Sequence, residues 1–154
     1  FGKLWLVNSL SDALPTMSPE PFDDEFTVET LAQSFSGRKA PVKALLLEQS
    51  IACGLGNLYA AESLSLAGIH PKRPADGLSV DEVARLRQSI IDALSAAYGV
   101  YDRARNQHWP DPPTALTTWS HPRDVKSACP NCDTNMTAIR VRARGTYFCS
   151  KCQT

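Results

Sequence analysis

Long apolar runs are missing from this chain. No stretch of its 154 residues approaches the ~18 consecutive apolar residues that a membrane-spanning helix needs, so no membrane partner is expected. The opening Phe1-Gly2-Lys3-Leu4-Trp5-Leu6-Val7 is too short an apolar stretch for a secretory signal, and no initiator Met precedes it. It starts abruptly in a strand-like pattern, the expectation for a fragment or a processed piece. Net charge is missing too: 16 Lys and Arg balance 16 Asp and Glu, so the chain as a whole lacks the basic excess of a nucleic-acid binder. Cysteine is sparse and odd in number. Five cysteines, four of them in two close pairs, argue against a disulfide framework and suit a reducing cytoplasm in which thiolates stay free for a metal. The three histidines, His70, His108 and His121, show no recognisable catalytic spacing and are read as structural. No internal repeat is present.

The zero net charge hides an asymmetry. Residues 1–36 carry −5, residues 37–120 carry +1 and residues 121–154 carry +4. The C-terminal end alone therefore has the sign that suits nucleic acid, although a solvated basic surface explains the same count.

Along the chain, Phe1–Val7 reads as a short strand and residues 8–24, with three prolines, as an acidic linker. Val28, Leu31, Ala32 and Phe35 recur at helical spacing within Thr27–Ser36, with Gly37 as the stop. A second helix is expected over Ala40–Gln49, with Pro41 in its first turn. Asn57 is a good N-cap for a third helix, Leu58–Ala67, closed by Gly68. Ser79-Val80-Asp81-Glu82 is a capping box that opens a fourth helix. It runs to about Tyr98, with Val83, Leu86, Ile90, Leu94 and Ala97 on one face and Gly99 after it. Residues 100–128 are poorly patterned, and Pro110, Pro112 and Pro113 forbid a long helix there. Beyond Cys132 the pattern alternates: Ile139 and Val141 face one way, Arg140 and Arg142 the other, and Thr146-Tyr147-Phe148 returns past a turn near Gly145. The layout is mainly α: residues 1–24 a strand and linker, 25–99 a helical domain, 100–128 an irregular connector, and 129–154 a ribbon.

Cys129, Cys132, Cys149 and Cys152 follow the spacing C-x2-C-x16-C-x2-C. Each pair can set two thiolates on one tight turn, and a hairpin of the intervening length brings the pairs together as a tetrahedral set for one Zn²⁺. Four protein ligands leave no open position, which makes the metal structural. Two redox C-x2-C motifs are the competing reading. A ribbon of 24 residues from Cys129 to Cys152 cannot build its own core and is expected to unfold without metal. Cys53, the fifth cysteine, sits in an apolar stretch and reads as a buried small hydrophobe.

Gly54-Leu55-Gly56-Asn57-Leu58-Tyr59-Ala60 fits G-x-G-x-x-A, but a dinucleotide site also needs a preceding strand and a βαβ unit, and neither pattern is present. The glycines instead mark a turn between two helices. That turn is either a plain connection or a phosphate site, because a helix start with bare N–H groups attracts an anion.

Residues 40–64 run from Ala40-Pro41-Val42-Lys43 through Gly54-Leu55-Gly56-Asn57-Leu58-Tyr59-Ala60-Ala61-Glu62. Together with Ala67-Gly68-Ile69-His70-Pro71, they closely resemble the helix–two-turn–helix signature of the formamidopyrimidine-DNA glycosylase / endonuclease VIII family. Arg144-Gly145-Thr146-Tyr147-Phe148-Cys149 resembles that family's C-terminal zinc finger. Phe1-Gly2 resembles the end of its R-R-F-G loop, and Ser18-Pro19-Glu20-Pro21-Phe22 its G-P-E-P-L segment. Residues 100–128 depart from the family text, so lesion preference does not carry over.

The resemblance implies a helix–two-turn–helix domain followed by a zinc-ribbon hairpin, in the DNA-binding part of a base-excision DNA glycosylase/AP lyase of the bacterial cytoplasm. Its implied partners are double-stranded DNA with damaged bases or abasic sites and an N-terminal catalytic lobe. Lys43, Asn57 and the Gly54 and Gly56 amides are implied to grip phosphates from one side, and Arg144 from the other; such contacts position DNA without reading its sequence. Phe1 matches the family's wedge aromatic. Glu62 matches a family position and reads as a helix-face or packing residue. Family members attack the sugar with an N-terminal proline amine, which residues 1–154 do not contain. A non-catalytic DNA- or protein-binding zinc module is the alternative. Borohydride treatment on abasic DNA is expected to trap no covalent adduct with these 154 residues, and an adduct overturns that expectation.

Overall fold

The computed structural model describes residues 6–9, 17–103 and 122–154. Four α-helices, one short 3-10 helix and one antiparallel hairpin make up the regular structure of these residues: α1 Val28–Phe35, α2 Val42–Leu46, α3 Asn57–Ala67, the 3-10 turn Ala75–Gly77, α4 Val80–Arg103, β1 Thr137–Val141 and β2 Arg144–Phe148. The fold is mainly helical with a ribbon at its C-terminal end, as the pattern predicts. None of the described helices is long and apolar enough to cross a membrane. Residues 1–5 and most of the connector, with His108 and His121, lie outside the described residues; Leu6 and Val7 belong to no strand.

Local chemistry sets the helix ends. Thr27 caps α1 by accepting from Thr30 N, and Thr30 Oγ1 accepts from Thr27 N in return. Ser79 and Glu82 form the expected capping box on α4, with Ser79 N donating to Glu82 Oε2 at 2.8 Å and Glu82 N to Ser79 Oγ at 3.3 Å. Gly68 closes α3 with φ +71.

Three boundaries differ from expectation. The second helix is only five residues long and is preceded by Pro41 as its N-cap. Past Leu47 the chain tightens into short turns, Glu48 N to Leu45 O and Ile51 N to Glu48 O, which carry it into the glycine bend. Asn57 is the first residue of α3 rather than its cap; Gly56 occupies the cap position, and no side chain caps the helix. α4 continues through Gly99 to Arg103. A glycine inside a helix costs only about 1 kcal/mol, and this helix buries Val83, Leu86, Ile90 and Ala93 upstream of it.

The core lies between α1, α3 and α4. Leu31, Phe35, Leu45, Leu46, Leu64, Leu86 and Ile90 are among its fully or nearly fully buried members. Most of α3 is enclosed: Ala60, Ala61, Glu62, Ser63, Leu64 and Ala67 are all buried. The small residues allow α4 to approach closely, while α3's remaining side meets β2. This central helix therefore carries the geometry of its exposed N-terminal end.

β1 and β2 pair with Ile139 opposite Thr146 and Val141 opposite Arg144. The turn lies near Gly145, as expected, and Gly145 itself pairs with Arg140. It is made by Arg142 and Ala143, with φ of +47 and +59. Two left-handed residues match the right-handed strand twist, and a two-residue hairpin loop needs that conformation. Neither is glycine, so the turn is strained by side chains. Ala143→Gly is expected to stabilise the chain by about 1 kcal/mol, read as a raised denaturation midpoint of the metal-loaded protein.

Candidate DNA-binding surface

The four ribbon thiols come together. The Sγ atoms of Cys129, Cys132, Cys149 and Cys152 all lie within 4.8 Å of one another. Two tight turns present them. In the first, Asp133 N donates to Cys129 O at 2.9 Å, with Asp133 at φ +57; in the second, Gln153 N donates to Cys149 O at 3.0 Å. Around them the ribbon packs only Met136, Tyr147 and the cysteines themselves. Hydrogen bonds from Thr134 draw the Cys132 thiol down to about 6. Hydrogen bonding with Cys132, reinforced by burial, pushes Cys152 up to about 12. Four thiolates this close repel one another, and a cation among them removes that repulsion. The donor set could hold one metal ion in a closed, all-sulfur site. Cys53 is buried, as expected.

The ribbon is seated on the helical domain at three places. Gln153 Nε2 donates to Ile69 O at 3.0 Å, Thr154 N to Gly68 O and His70 N to Thr154 O, both at 3.1 Å. The His70 ring meets Phe148 edge-on with centroids 4.5 Å apart, and its Nδ1 accepts from Lys72 N. His70 is thus a docking residue. At the hairpin tip, Arg142 pairs with Glu48, which also pairs with Arg38 at 2.9 Å. The third place is Lys43. Its side chain is 0 % exposed, and Nζ donates to Asn57 Oδ1 at 2.9 Å and to Thr146 Oγ1 at 2.6 Å.

These contacts bring Lys43, Asn57, Gly56 and the base of Arg144 to one spot. Lys43 lies beneath the surface, where a phosphate does not reach it directly. Its bond to Oδ1 fixes the Asn57 amide so that Nδ2 faces outward, toward Gly145 O at 3.4 Å. That bond is long and weak. Arg144, next to Gly145, is exposed. The glycines have different jobs. Gly54 adopts φ +76, a conformation suited to glycine, and its N–H donates to Gln49 Oε1 at 2.8 Å. Its amide is therefore not free for an anion. Gly56 leads directly into the uncapped start of α3, where the helix dipole favours negative charge. Phe1 lies outside the described residues.

Residues 17–104 match the family described as the formamidopyrimidine-DNA glycosylase H2TH domain. The chain belongs to this family. Curated relatives include the formamidopyrimidine-DNA glycosylases of Gloeobacter violaceus, 36% identical over 165 residues, and of Chloroflexus aggregans, 37% identical over 160 residues. Each alignment covers 99% of this chain but only 57% and 58% of the relative, so the chain spans little more than half their length. Among solved structures, the MutM (Fpg) protein of Thermus thermophilus superposes with a TM-score of 0.80 at 31% identity, over 90% of this chain and 54% of that one. Lactococcus lactis Fpg non-covalently bound to DNA containing an AP site superposes with a TM-score of 0.78 at 28% identity, over 90% and 50%. Both the helical domain of H2TH type and the four-cysteine ribbon are thus members of a glycosylase family's architecture.

Sequence reasoning missed Thr146, the ribbon's acceptor for Lys43, and Gln49, which occupies the Gly54 amide. Thr146 lies 103 positions from its partner and Gln49 five, and neither spacing nor residue type marks them in one dimension. Burial, followed by the charge of nearby Arg123, pulls Lys43 down to about 8 from its ordinary 10.5. A lysine depressed on folding weighs against the native state while charged in it, so its contribution to stability improves as pH rises from about 8 to 10.5. Unfolding free energy of the wild type relative to Lys43→Met is expected to grow across that window in paired denaturation series; a flat or falling difference contradicts it.

Proposed function

We propose that this chain is the DNA-binding part of a bacterial base-excision DNA glycosylase/AP lyase that acts on oxidised bases and abasic sites. The observation that carries the reading is the convergence of Asn57, the start of α3 that no side chain caps and the exposed Arg144, with Asn57 and β2 joined by the buried Lys43. An outward amide, helix N–H groups and a guanidinium form a donor set for phosphodiester oxygens. They carry no pattern for reading base edges, which suits an enzyme that must grip DNA wherever a lesion occurs. The relatives named for glycosylase activity, and the neighbour bound to AP-site DNA, support the same assignment.

The chemistry of the whole protein is proposed from those relatives, because the chain spans little more than half their length. The N-terminal catalytic lobe is the proposed intramolecular partner, and the bacterial cytoplasm, on the nucleoid, the proposed place of action. One Zn²⁺ is the proposed occupant of Cys129, Cys132, Cys149 and Cys152. All-thiolate tetrahedral sites select a soft, redox-inert ion of this kind, and closed coordination makes its role structural. Zinc would fix both turns of the ribbon, and so the direction in which Arg144 leaves β2. Lys43 works indirectly, holding Asn57 and Thr146 rather than touching DNA, and Gly54 works through backbone shape.

Salt-dependent binding to a duplex with an abasic-site analogue tests the assignment. Arg144→Ala is expected to lower affinity about tenfold and to flatten the slope of log K against log salt by about one. Asn57→Ala and Lys43→Met are expected to weaken binding while largely keeping the slope. Chelation is expected to release one zinc per chain and to abolish the Arg144 contribution. Binding unchanged in all three variants would refute the DNA-binding reading.

A further inference from the structure

The cavity at the start of α3 holds a cation that the grip described above leaves out. About 150 Å³ of space is lined by Asn57, Leu58 and Ala61 of α3, Gly145 and Tyr147 of β2, and Arg123 from the segment leading into the first cysteine turn. Arg123 is the one formally charged residue among them. Burial pulls its guanidinium down from the ordinary arginine range, the nearby Glu62 carboxylate attracts it and partly offsets that, and its Nη2 is shielded from solvent. Glu62 is itself buried on α3. The buried Lys43 is also close enough for the two cations to repel. Two cations therefore meet one carboxylate beside an uncapped helix start, and the cavity is left with a net positive field. Among the described residues, the Asn57 Nδ2 in its wall makes only the long bond to Gly145 O, which an anionic oxygen displaces at little cost.

We propose that Arg123 is a further DNA-contacting residue, which binds a phosphodiester of the DNA backbone in this cavity together with Asn57, while Glu62 acts as the positioning residue that aims it. The inference rests on the DNA-binding reading above. The guanidinium edge that lines the cavity offers a charged N–H to one phosphate oxygen, and a side chain already drawn to Glu62 loses little freedom on binding. The cavity would so join the connector to α3 and β2, and the DNA would be gripped by three segments of the chain distant in sequence.

The test titrates the zinc-loaded 154-residue chain with a duplex carrying a tetrahydrofuran abasic-site analogue across a salt series. Arg123→Ala is expected to lose about tenfold in affinity and about one unit of the slope of log K against log salt. Arg123→Lys is expected to keep the slope, and Glu62→Gln to keep the slope while lowering affinity. An unchanged slope for Arg123→Ala, with only a lowered melting temperature, assigns Arg123 to packing and overturns the proposal. Should Arg123→Ala fail to fold, phenylglyoxal modification of wild-type Arg123, followed by mass spectrometry, replaces it. Slower modification in the presence of the duplex supports the proposal, and equal rates overturn it. Asn57→Ala and Arg144→Ala on the same duplex separate the two levels. If they weaken binding and Arg123→Ala does not, this inference alone falls; if neither weakens it, the DNA-binding reading falls with it.

Discussion

A buried ammonium joins the two halves of this molecule. Lys43 sits on α2, is entirely enclosed, and spends its hydrogen bonds on Asn57 of α3 and Thr146 of β2. Burying a charge without partners is prohibitively costly, so the helical domain and the ribbon are each required by the other at this point. Both partners offer neutral oxygens, and the lysine stays depressed toward 8. The contact thus favours orientation over raw stability. It turns the Asn57 amide outward and places β2 where Arg144 and Gly145 border the start of α3.

The remaining contacts restrict the ribbon further. The Gly68–His70 corner holds the residues after Cys149 through backbone bonds and the edge of Phe148. Glu48 pairs with the tip at Arg142. A ribbon with almost no core of its own is therefore pinned at its base, middle and tip, and its internal shape rests on the four thiols. The thiol cluster and the docking contacts do separate work: the thiols set the two turns, while the helical domain sets where the hairpin points.

Much of this was legible in one dimension. Helix ends were readable where a side chain caps a helix within four residues, as at Thr27 and Ser79, or where glycine takes a left-handed angle, as at Gly68. The thiol cluster was legible for the same reason, since two C-x2-C turns are local structures and the hairpin between them alternates. Errors arose where local signals competed. Asn57 has the chemistry of a cap, but its side chain is claimed by a lysine fourteen positions away. Gly99 has the chemistry of a stop, but the helix runs on through it.

By itself, the sequence determined the element order, the four-thiol cluster and the family to which the chain belongs, because each is written in residue spacing over short distances. Only the tertiary structure decided what each matched residue does. It buried Lys43 beneath the surface it was expected to line, gave the Gly54 amide to Gln49, and brought Arg123 to the wall beside Asn57. The physical reason is that a side chain's role depends on which groups compete for its hydrogen bonds and whether water reaches it. Both are properties of packing between segments far apart in the chain.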